Sequence, residues 1–566
     1  MSIKKHFRLL FVLLALLFGL GAASFCYIIN SNSQAAFRIR RFAGEFLNMQ
    51  KLPDRPDPRL GLEILCEVLY TDNIPAQNPA LVKSGGDNKL VMETPEFTRL
   101  FDYANGYLLD LPSGVSFDFT KSPQFTTING EGFTAVVSAE WSVGEDVSAY
   151  IGEYFNRFTV NERFQSENRV SVISDIKRDD YEELTVYIGD FPGYDAYTYL
   201  TIKTNSRFFY RCMIKYDQKN EKMPAVIREI AASFRFFKPK GKPVYDLDLH
   251  PVIPEGWSPE TAALYKKLSE PQNMLWGIFD GGHNLSELEK SLDYKFDIIL
   301  VYFHLDEEFP AEIIQKYYDE GRIVELTLQL TLNNNENLYA ASPVLDMRRG
   351  VHYEKIAEFA RQAKAFGHPF LFRLNNEMNS DWTSYGGVNN LLDPDLFVEN
   401  WRMVYKIFED EGVDNAIWIF NPNDRDCPPA RWNSFIAYYP GNEYTHILGL
   451  TGYNNGNYYN AVTGEIWREF ELIYDTAVRA YGGLFDRFPW VITEFASSSA
   501  GGDKVKWING MFKTLQKNKY PKLSAAVWFN YADYDFRPEY AGQVSRPYWI
   551  DETPKILEAF KKGLHK

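Results

Sequence analysis

The C-terminal half of the chain alternates short apolar runs with longer amphipathic segments. Segments such as YEKIAEFARQAKAFG and DLFVENWRMVYKIFEDEG carry apolar residues at helical spacing, and the second follows a capping Asp393 with Pro394 at its first helical position. Eight such strand and helix units predict a (β/α)8 barrel over residues 272–566. The eight apolar runs that we interpret as strands are MLWGIF, FDIILVYF, RIVELTLQL, PFLFRL, NAIWIF, HILGLTGY, WVITEF and SAAVWF.

Residues 85–240 have a different pattern, because apolar and polar positions alternate with a period of two. The segments ELTVYIGD, YTYLTIKT and RFFYRCMIKY predict strands, and PAVIREIAASF predicts a closing helix. We therefore expect a small α+β domain with an antiparallel sheet that serves as a spacer or a binding module. Pro-rich sequence on either side predicts a helical stalk and linker at residues 31–84 and a second linker at 241–271.

The first 30 residues have the pattern of an export signal, in which basic residues at positions 4–8 precede an uncharged apolar run at 9–29. That run is long enough to span a bilayer as a helix. GLGAAS offers a cleavage site, but the run continues past it, which favours an uncleaved anchor over a cleaved signal peptide. A lipoprotein signal at Cys26 is disfavoured by the bulky Phe25. The pattern predicts a protein anchored at the cell surface, or secreted if the signal is cleaved, with both domains outside the cytoplasm.

Composition narrows the classes of partner. A formal net charge of −15 argues against nucleic acid, which requires a basic face. The four cysteines are widely spaced without a CxxC pair, so no zinc site is predicted, and spacing does not decide whether Cys66 and Cys212 form a bridge. Aromatic residues make up 16% of the chain, and many adjoin Asn, Asp and Gly, as in sites where sugars stack on rings. We predict no metal and no cofactor.

Two glutamates follow predicted barrel strands at the end where barrel enzymes place their chemistry. Glu377 lies in RLNNEMNSDW after the fourth strand, and Glu494 lies in WVITEFASS at the seventh. A pair of carboxylates on one rim is what a two-carboxylate glycosidase needs, since one protonates the leaving oxygen and the other attacks the anomeric carbon.

From about residue 274 to its C-terminus the chain resembles glycoside hydrolase family 26. RLNNEMNSDW is similar to that family's Arg-x-x-His-Glu-Met-Asn block, which implies that Glu377 is the acid/base and Trp382 the aromatic that follows it. WVITEFASS resembles the nucleophile strand, with Glu494 as the nucleophile. AIWIFNPN, YYPGNEYTHILGLTGYN and AVWFNY resemble the fifth, sixth and eighth strands. The resemblance implies retaining hydrolysis of β-linked polysaccharides, chiefly β-mannans, with β-glucan and β-1,3-xylan as further substrates.

Two positions depart from the family pattern. Asn376 stands where the family usually has His, and Thr451 stands where its sixth-strand block often has Asp. Related barrel families carry Asn before the acid/base, where it donates to the 2-hydroxyl of the substrate, and we expect the same of Asn376. Both departures bear on which sugar is bound more than on the type of reaction.

Further residues are expected around the two glutamates. We expect Tyr453 to hydrogen-bond the nucleophile and Trp528 to form the floor of the reactive subsite. Arg373 is expected either to pair with a rim carboxylate or to join an ion pair inside the barrel. Looser candidates, each more typical of packing, are Trp432, Trp418 and Tyr385 as sugar platforms and His283 and His304 as rim residues.

The sequence therefore predicts a retaining, endo-acting glycoside hydrolase that cleaves a β-linked polysaccharide of β-mannan or β-glucan type outside the cytoplasm. One alternative is a carbohydrate-binding or envelope or exopolysaccharide assembly protein with little hydrolytic turnover. Another is a transglycosylase. Retention of both glutamates favours an enzyme over a binding protein.

Overall fold

The computed structural model describes residues 89–566 apart from 123, 143–145, 205–206, 238, 240–247, 272, 283 and 332–340. The predicted signal segment, the stalk, Cys66 and His283 lie outside the described residues. Within the described ranges, no helix is long and apolar enough to cross a bilayer.

The C-terminal part is a closed barrel of eight parallel strands that follow one another in chain order, which confirms the predicted (β/α)8 fold. The strand ends lie within a few residues of those expected from the apolar runs. The barrel strands are β12 (Leu275–Phe279), β13 (Ile298–His304), β14 (Ile323–Gln329), β15 (Phe370–Leu374), β16 (Ala416–Phe420), β17 (Ile447–Thr451), β18 (Trp490–Phe495) and β19 (Leu523–Phe529).

Helices surround this barrel and cover the outward-facing side chains of its strands. Their apolar faces pack on the strands, as their spacing predicts. The helices of this part are α4 (Pro259–Ser269), α5 (Leu285–Leu292), α6 (Ala311–Asp319), α7 (Pro343–Arg348), α8 (Tyr353–Phe366), α9 (Pro394–Asp410), α10 (Asn460–Thr463), α11 (Phe470–Ala480), α12 (Gly482–Arg487), α13 (Lys504–Gln516) and α14 (Pro554–Leu564).

The interior of the barrel changes character along its axis. Inward-facing side chains near the N-terminal ends of the strands are aliphatic, as at Leu371, and one turn of the pleat further on they are polar, as at Arg373. Helix α4 closes the aliphatic end, where Leu268 is fully buried against the barrel residues. Part of the segment predicted as a linker is therefore a structural element of the barrel.

The N-terminal part is built from two antiparallel sheets, as predicted for its class. A four-stranded sheet has the order β1-β2-β3-β11, and a seven-stranded sheet has the order β4-β5-β6-β10-β9-β8-β7. Its strands are β1 (Lys89–Glu93), β2 (Phe97–Asp102), β3 (Tyr107–Pro112), β4 (Ser116–Asp118), β5 (Phe125–Gly130), β6 (Phe133–Trp141), β7 (Val170–Lys177), β8 (Tyr181–Ile188), β9 (Ala196–Lys203), β10 (Phe208–Tyr216) and β11 (Arg235–Phe236), with helices α1 (Val147–Thr159), α2 (Glu162–Asn168) and α3 (Met223–Ser233). A short hairpin, β20 (Ala532–Tyr534) and β21 (Val544–Pro547), follows the last barrel strand.

The central strands of the seven-stranded sheet are buried on both faces, whereas most of the edge strand β7 is exposed. In β10, Tyr210, Cys212 and Ile214 face α3, whereas Met213 on the opposite face belongs to the hydrophobic core shared with the barrel. Arg211 lies on that same face because side chains alternate along a strand. The antiparallel part and the barrel therefore share a continuous apolar core.

A buried ion cluster joins the two parts at the start of α9. Asp393 caps this helix by accepting a hydrogen bond from the backbone N–H of Asp395 at 3.1 Å. It also accepts from Lys215 Nζ at 3.1 Å and from the Tyr197 hydroxyl at 3.1 Å, both on the antiparallel sheet. Burial opposes ionisation of Asp395, but the ammonium groups of Lys121 and Lys215 hold the pKa of that carboxyl well below its usual range.

We expect Asp393→Ala to lower the free energy of unfolding of the chain by about 3 to 5 kcal/mol, because it leaves the buried Lys215 ammonium with an incomplete set of partners. Urea denaturation followed by intrinsic fluorescence measures the change. Lys406→Ala, which removes an exposed ion pair on the same helix, is the matched control and should leave the midpoint unchanged. Equal midpoints for the two variants would contradict the assignment of the cluster as a stabilising contact.

Candidate active site

The turn after β15 explains the three asparagines around Glu377. Asn375 and Glu377 both adopt left-handed backbone conformations, with φ angles of 54° and 57°. Asn tolerates this region better than most residues, and its side chain satisfies nearby backbone groups. The Asn375 Oδ1 accepts from the backbone N–H of Leu330 at 2.7 Å, and the Glu377 N–H donates to the carbonyl of Asn421 at 2.8 Å. The turn is thereby tied to the neighbouring strands β14 and β16.

Glu377 lies partly exposed at the rim of the barrel. Its Oε1 accepts a hydrogen bond from Asn423 Nδ2, and its Oε2 accepts from Trp382 Nε1 at 3.2 Å. Burial of the carboxyl, followed by the negative charge of Glu494, raises the pKa of Glu377 to about 7 in spite of these two donors. Near neutral pH, Glu377 can therefore hold a proton and release it.

Glu494, at the end of β18, is 6% exposed and has three donors on its two oxygens. Its Oε1 accepts from the Tyr453 hydroxyl at 2.5 Å, and its Oε2 accepts from the Tyr302 hydroxyl and from Arg373 Nη1 at 3.2 Å. Burial raises the pKa of both tyrosine hydroxyls well above the usual range, so both remain donors. This environment suits a carboxylate that acts in its charged form.

Arg373 lies beneath Glu494 and is fully buried inside the barrel. It donates to Thr327 Oγ1 at 2.6 Å and to Asn421 Oδ1 at 2.9 Å, besides Glu494. The buried Glu325 lies 3.4 Å from Arg373 Nε, but burial raises the pKa of this carboxyl to about 8 although the guanidinium opposes the shift. Of these two carboxyls, Glu494 is the one that accepts a hydrogen bond from Arg373.

The structure pairs Arg373 with the rim carboxylate of Glu494, one of its two predicted roles, and it removes Trp528 from the reactive subsite. Arg373 has no exposed surface, so it supports the Glu494 carboxylate and does not reach a ligand. Trp528 is also fully buried, and it packs among the outer helices with its Nε1 donating to the carbonyl of Tyr548 at 2.9 Å. Successive side chains of a strand point to opposite faces, so Phe529, not Trp528, faces the rim, with its ring 5.8 Å from that of Tyr453.

The remaining predicted residues differ in their access to a ligand. Trp382 is 43% exposed beside Glu377. The Oδ1 of Asn376 accepts from Gln329 and from the Tyr385 hydroxyl, at 2.8 and 3.0 Å, and no described residue accepts a hydrogen bond from its Nδ2. Thr451 is buried and accepts from Asn421 Nδ2 at 3.2 Å, so it supports the residue that holds Arg373.

The looser candidates do not form sugar platforms. Tyr385, Trp418 and Trp432 are each at most 5% exposed and pack within the core. His304 ends β13, where its backbone N–H donates to Glu307. Among the residues that the structure describes, no group of three or more His, Cys, Asp or Glu side chains could hold a metal ion.

Several residues of the site were not found in the sequence. Each either faces the barrel interior where the inward side chains are polar or lies in the loop just after a strand. Because side chains alternate along a strand, stepping two residues at a time from a known inward position would have identified those that lie in strands. They are Tyr302, Glu325, Thr327, Asn421 and Asn423.

The fold and the site together define a class of protein. On one rim of a (β/α)8 barrel lie two carboxyls, one that can exchange a proton near neutral pH and one surrounded by hydrogen-bond donors that suit a carboxylate. This is the arrangement of a two-carboxylate glycosidase. Residues 298–483 match the model of Glycosyl hydrolase family 26. The match includes Glu377 and ends before Glu494, which is assigned from its place in the barrel. Over these residues the barrel is therefore similar to a family 26 catalytic domain.

Named relatives cover parts of the same region. The chain is 25% identical over 275 residues to "Endoglucanase H" of Acetivibrio thermocellus, a match covering 48% of this chain and 27% of the relative. It is 26% identical over 231 residues to "Mannan endo-1,4-beta-mannosidase" of Bacillus subtilis, covering 37% of this chain and 56% of the relative. The chain thus spans little more than half of the length of the mannosidase and about a quarter of the length of the endoglucanase. The solved catalytic domain of the GH26 endo-beta-1,4-mannanase of Bacillus sp. JAMB-750 aligns with a TM-score of 0.41 and 15% identity, covering 56% of this chain and 93% of that one.

Proposed function

We propose that the protein is a retaining, endo-acting glycoside hydrolase that cleaves a β-linked polysaccharide of β-mannan or β-glucan type. The observation that carries the proposal is the contrast between the two rim carboxyls. Glu377 accepts from neutral donors, and burial raises its pKa to about 7, whereas Glu494 accepts from a guanidinium and two tyrosines. The names of the relatives, an endoglucanase and a mannan endo-1,4-beta-mannosidase, support the substrate class.

In the first step, the Glu494 carboxylate attacks the anomeric carbon and the bond from that carbon to the leaving oxygen breaks. Glu377 gives its proton to this oxygen, so the departing chain leaves with a neutral hydroxyl. In the second step Glu377, now ionised, takes a proton from water, whose oxygen attacks the same carbon and releases Glu494. Both carboxyls return to their starting states.

Two neighbouring residues have the position to bind the sugars. Asn376 Nδ2, oriented by the bonds that its Oδ1 accepts, would donate to a hydroxyl of the sugar at the reactive carbon. The exposed indole of Trp382 lies on the side of Glu377 where the leaving portion would stack. The identity of residue 376 as Asn and of residue 451 as Thr would influence which sugar is accepted.

We expect Glu494→Ala to abolish turnover of β-mannan or β-glucan, because it removes the carboxylate that attacks the anomeric carbon. Azide, as an external nucleophile, should restore turnover and give a product of inverted configuration, measured by proton NMR of the anomeric signal. Glu377→Ala is the companion variant and should lose activity only on substrates whose leaving group requires a proton. Inverted product from the unmodified protein would refute the retaining mechanism.

We expect the first step to slow as the pH rises through about 7, since only protonated Glu377 can donate and its pKa is raised to that value. The kcat/KM of a substrate with a poor leaving group, measured from pH 5 to 9, should therefore have an alkaline limb near pH 7. That limb should be absent in Glu377→Ala with an activated aryl glycoside.

A separate experiment distinguishes the alternative functions. Folded protein that cleaves none of a β-mannan, β-glucan and β-xylan panel would favour the carbohydrate-binding alternative. Longer products at high oligosaccharide concentration would favour a transglycosylase.

We further propose that the protein acts at the cell surface, held in the membrane by residues 9–29, because that run is apolar and without charge. Full-length protein should fractionate with membranes and require detergent for release, whereas a chain beginning at residue 31 should not. A mature N-terminus near residue 24 or 25 in the culture medium would show instead that the segment is cleaved.

A further inference from the structure

The hairpin after the last barrel strand carries a patch of exposed aromatic rings, formed by Tyr531, Tyr534, Phe536 and Tyr540. These residues are 36%, 49%, 64% and 39% exposed. Four large rings exposed within ten residues are unusual for a surface, and such patches commonly mark a binding groove.

The patch is continuous with the catalytic site. The ring of Tyr453, whose hydroxyl binds Glu494, lies 5.8 Å from that of Phe529. Phe529 lies 6.3 Å from Tyr531, and Tyr531 lies 6.4 Å from Tyr534. A line of aromatic contacts therefore runs from the nucleophile outward to the exposed rings.

The exposed rings are supported from beneath. Phe536 packs on the buried Tyr459 at 4.7 Å, and its backbone N–H donates to the Tyr459 hydroxyl at 3.4 Å. The Arg537 guanidinium lies 4.3 Å from the Tyr540 ring and donates two hydrogen bonds to the Asp535 carboxylate, at 2.9 and 2.6 Å. Rings held in this way can bind a ligand without first being ordered.

We propose that this aromatic patch is a binding surface for sugar units of an extended β-linked polysaccharide, several units away from the bond that is cleaved. The inference rests on the proposed function of the barrel. Trp382 follows β15, where it donates to Glu377, and the hairpin follows β19, four strands further around the closed barrel. We therefore expect a chain that contacts both to pass over Glu377 and Glu494. The patch should then strengthen the binding of long sugar chains and have no effect on the binding of short ones.

The test compares Tyr534→Ala/Phe536→Ala with Tyr534→Phe/Phe536→Tyr, which keeps both rings. Loss of the rings should raise KM for soluble glucomannan or mixed-linkage β-glucan about threefold to tenfold, the range expected for lost aromatic contacts. The kcat/KM for a short aryl β-disaccharide should stay within about twofold, and the ring-retaining variant should match the parent protein. Equal losses on long and short substrates would overturn the proposal.

A second measurement separates this proposal from the proposed activity. In a Glu494→Ala background, which cannot turn over, affinity electrophoresis through the same polysaccharides measures binding alone. The ring-deleted variant should be retarded less than the ring-retaining one. Retention that is equal in both, or absent on every polymer, would refute the binding surface, whereas ring-dependent retention without hydrolysis by the parent protein would refute only the proposed activity.

A separate observation concerns Glu140, which lies on the antiparallel sheet but contacts the barrel. Its carboxylate accepts from the backbone N–H groups of Arg431 and Trp432, at 2.8 and 3.0 Å, in the loop after β16. Asn433 in that loop donates from Nδ2 to the carbonyl of Asn379 at 2.9 Å. The sheet thus holds a loop that in turn holds the turn after β15.

The same connections reach the acid/base. The Asn379 side chain accepts from the backbone N–H of Asn423 at 2.8 Å and donates to the carbonyl of Asn423 at 3.1 Å, which fixes this residue at both backbone groups. Asn423 Nδ2 then donates to Glu377 Oε1. The geometry points to Glu140 as a positioning residue that acts on Glu377 through this loop, again on the basis of the proposed function.

The test uses Glu140→Gln, with Glu182→Gln as the matched control. Glu182 is a buried glutamate of the same sheet whose partners, Lys203 and Ser148, also lie in the antiparallel part. Loosening Asn423 removes a donor that favours ionised Glu377, so the alkaline limb should move to higher pH in Glu140→Gln. The kcat for a substrate with a poor leaving group should fall about tenfold with little change in KM, and that for an activated aryl glycoside should change little.

If Glu140 had a merely structural role, Glu140→Gln would lower kcat equally for both substrates and leave the alkaline limb in place. The control Glu182→Gln would then show the same effect. A readout without turnover keeps the inference testable if the protein hydrolyses nothing. The indole N–H of Trp382, which donates to Glu377, should titrate with Glu377 in nitrogen-15 NMR spectra and be assigned through Trp382→Phe. An unchanged titration midpoint in Glu140→Gln would refute the positioning role.

Discussion

Both rim carboxyls depend on one buried guanidinium. Arg373 donates directly to Glu494, and it also donates to Asn421, whose backbone carbonyl accepts from the N–H of Glu377. A charge inside a barrel costs several kcal/mol unless it is paired and hydrogen-bonded. Because the barrel interior changes from aliphatic to polar residues along its axis, Thr327 and Asn421 lie where they can accept hydrogen bonds from this guanidinium.

The two glutamates differ through their neighbours and not through their own chemistry. Glu494 has a cation and two hydroxyl donors beneath it, whereas Glu377 has one amide and one indole. The negative charge kept on Glu494 raises the pKa of Glu377, so that ionisation of one carboxyl delays that of the other.

The strands, the barrel and the position of Glu377 and Glu494 on one rim could be predicted from the sequence, because long apolar runs and residues that directly follow them are local signals. Trp528 was assigned to the wrong face because the last five residues of SAAVWF are all apolar, and a strand buried on both sides shows no alternation. The roles of Glu140 and Lys215 were not readable either. Charged residues in a predicted strand suggest a solvated face, and their barrel partners lie at least 178 positions away. Whether residues 85–240 act as a spacer or a binding module stays a prediction.

The antiparallel sheet also limits how a polymer can reach the site. Arg211 stacks on Trp432 at 5.0 Å and donates to the carbonyl of Leu392, so the loops that follow β15 and β16 are covered on that side of the barrel. Opening this interface would expose a shared apolar core and leave several buried charges without partners, which costs more than a sugar chain gains by binding. A polysaccharide substrate of the kind proposed would therefore approach over the remaining rim, where Trp382 and the rings of the last hairpin are exposed among the described residues.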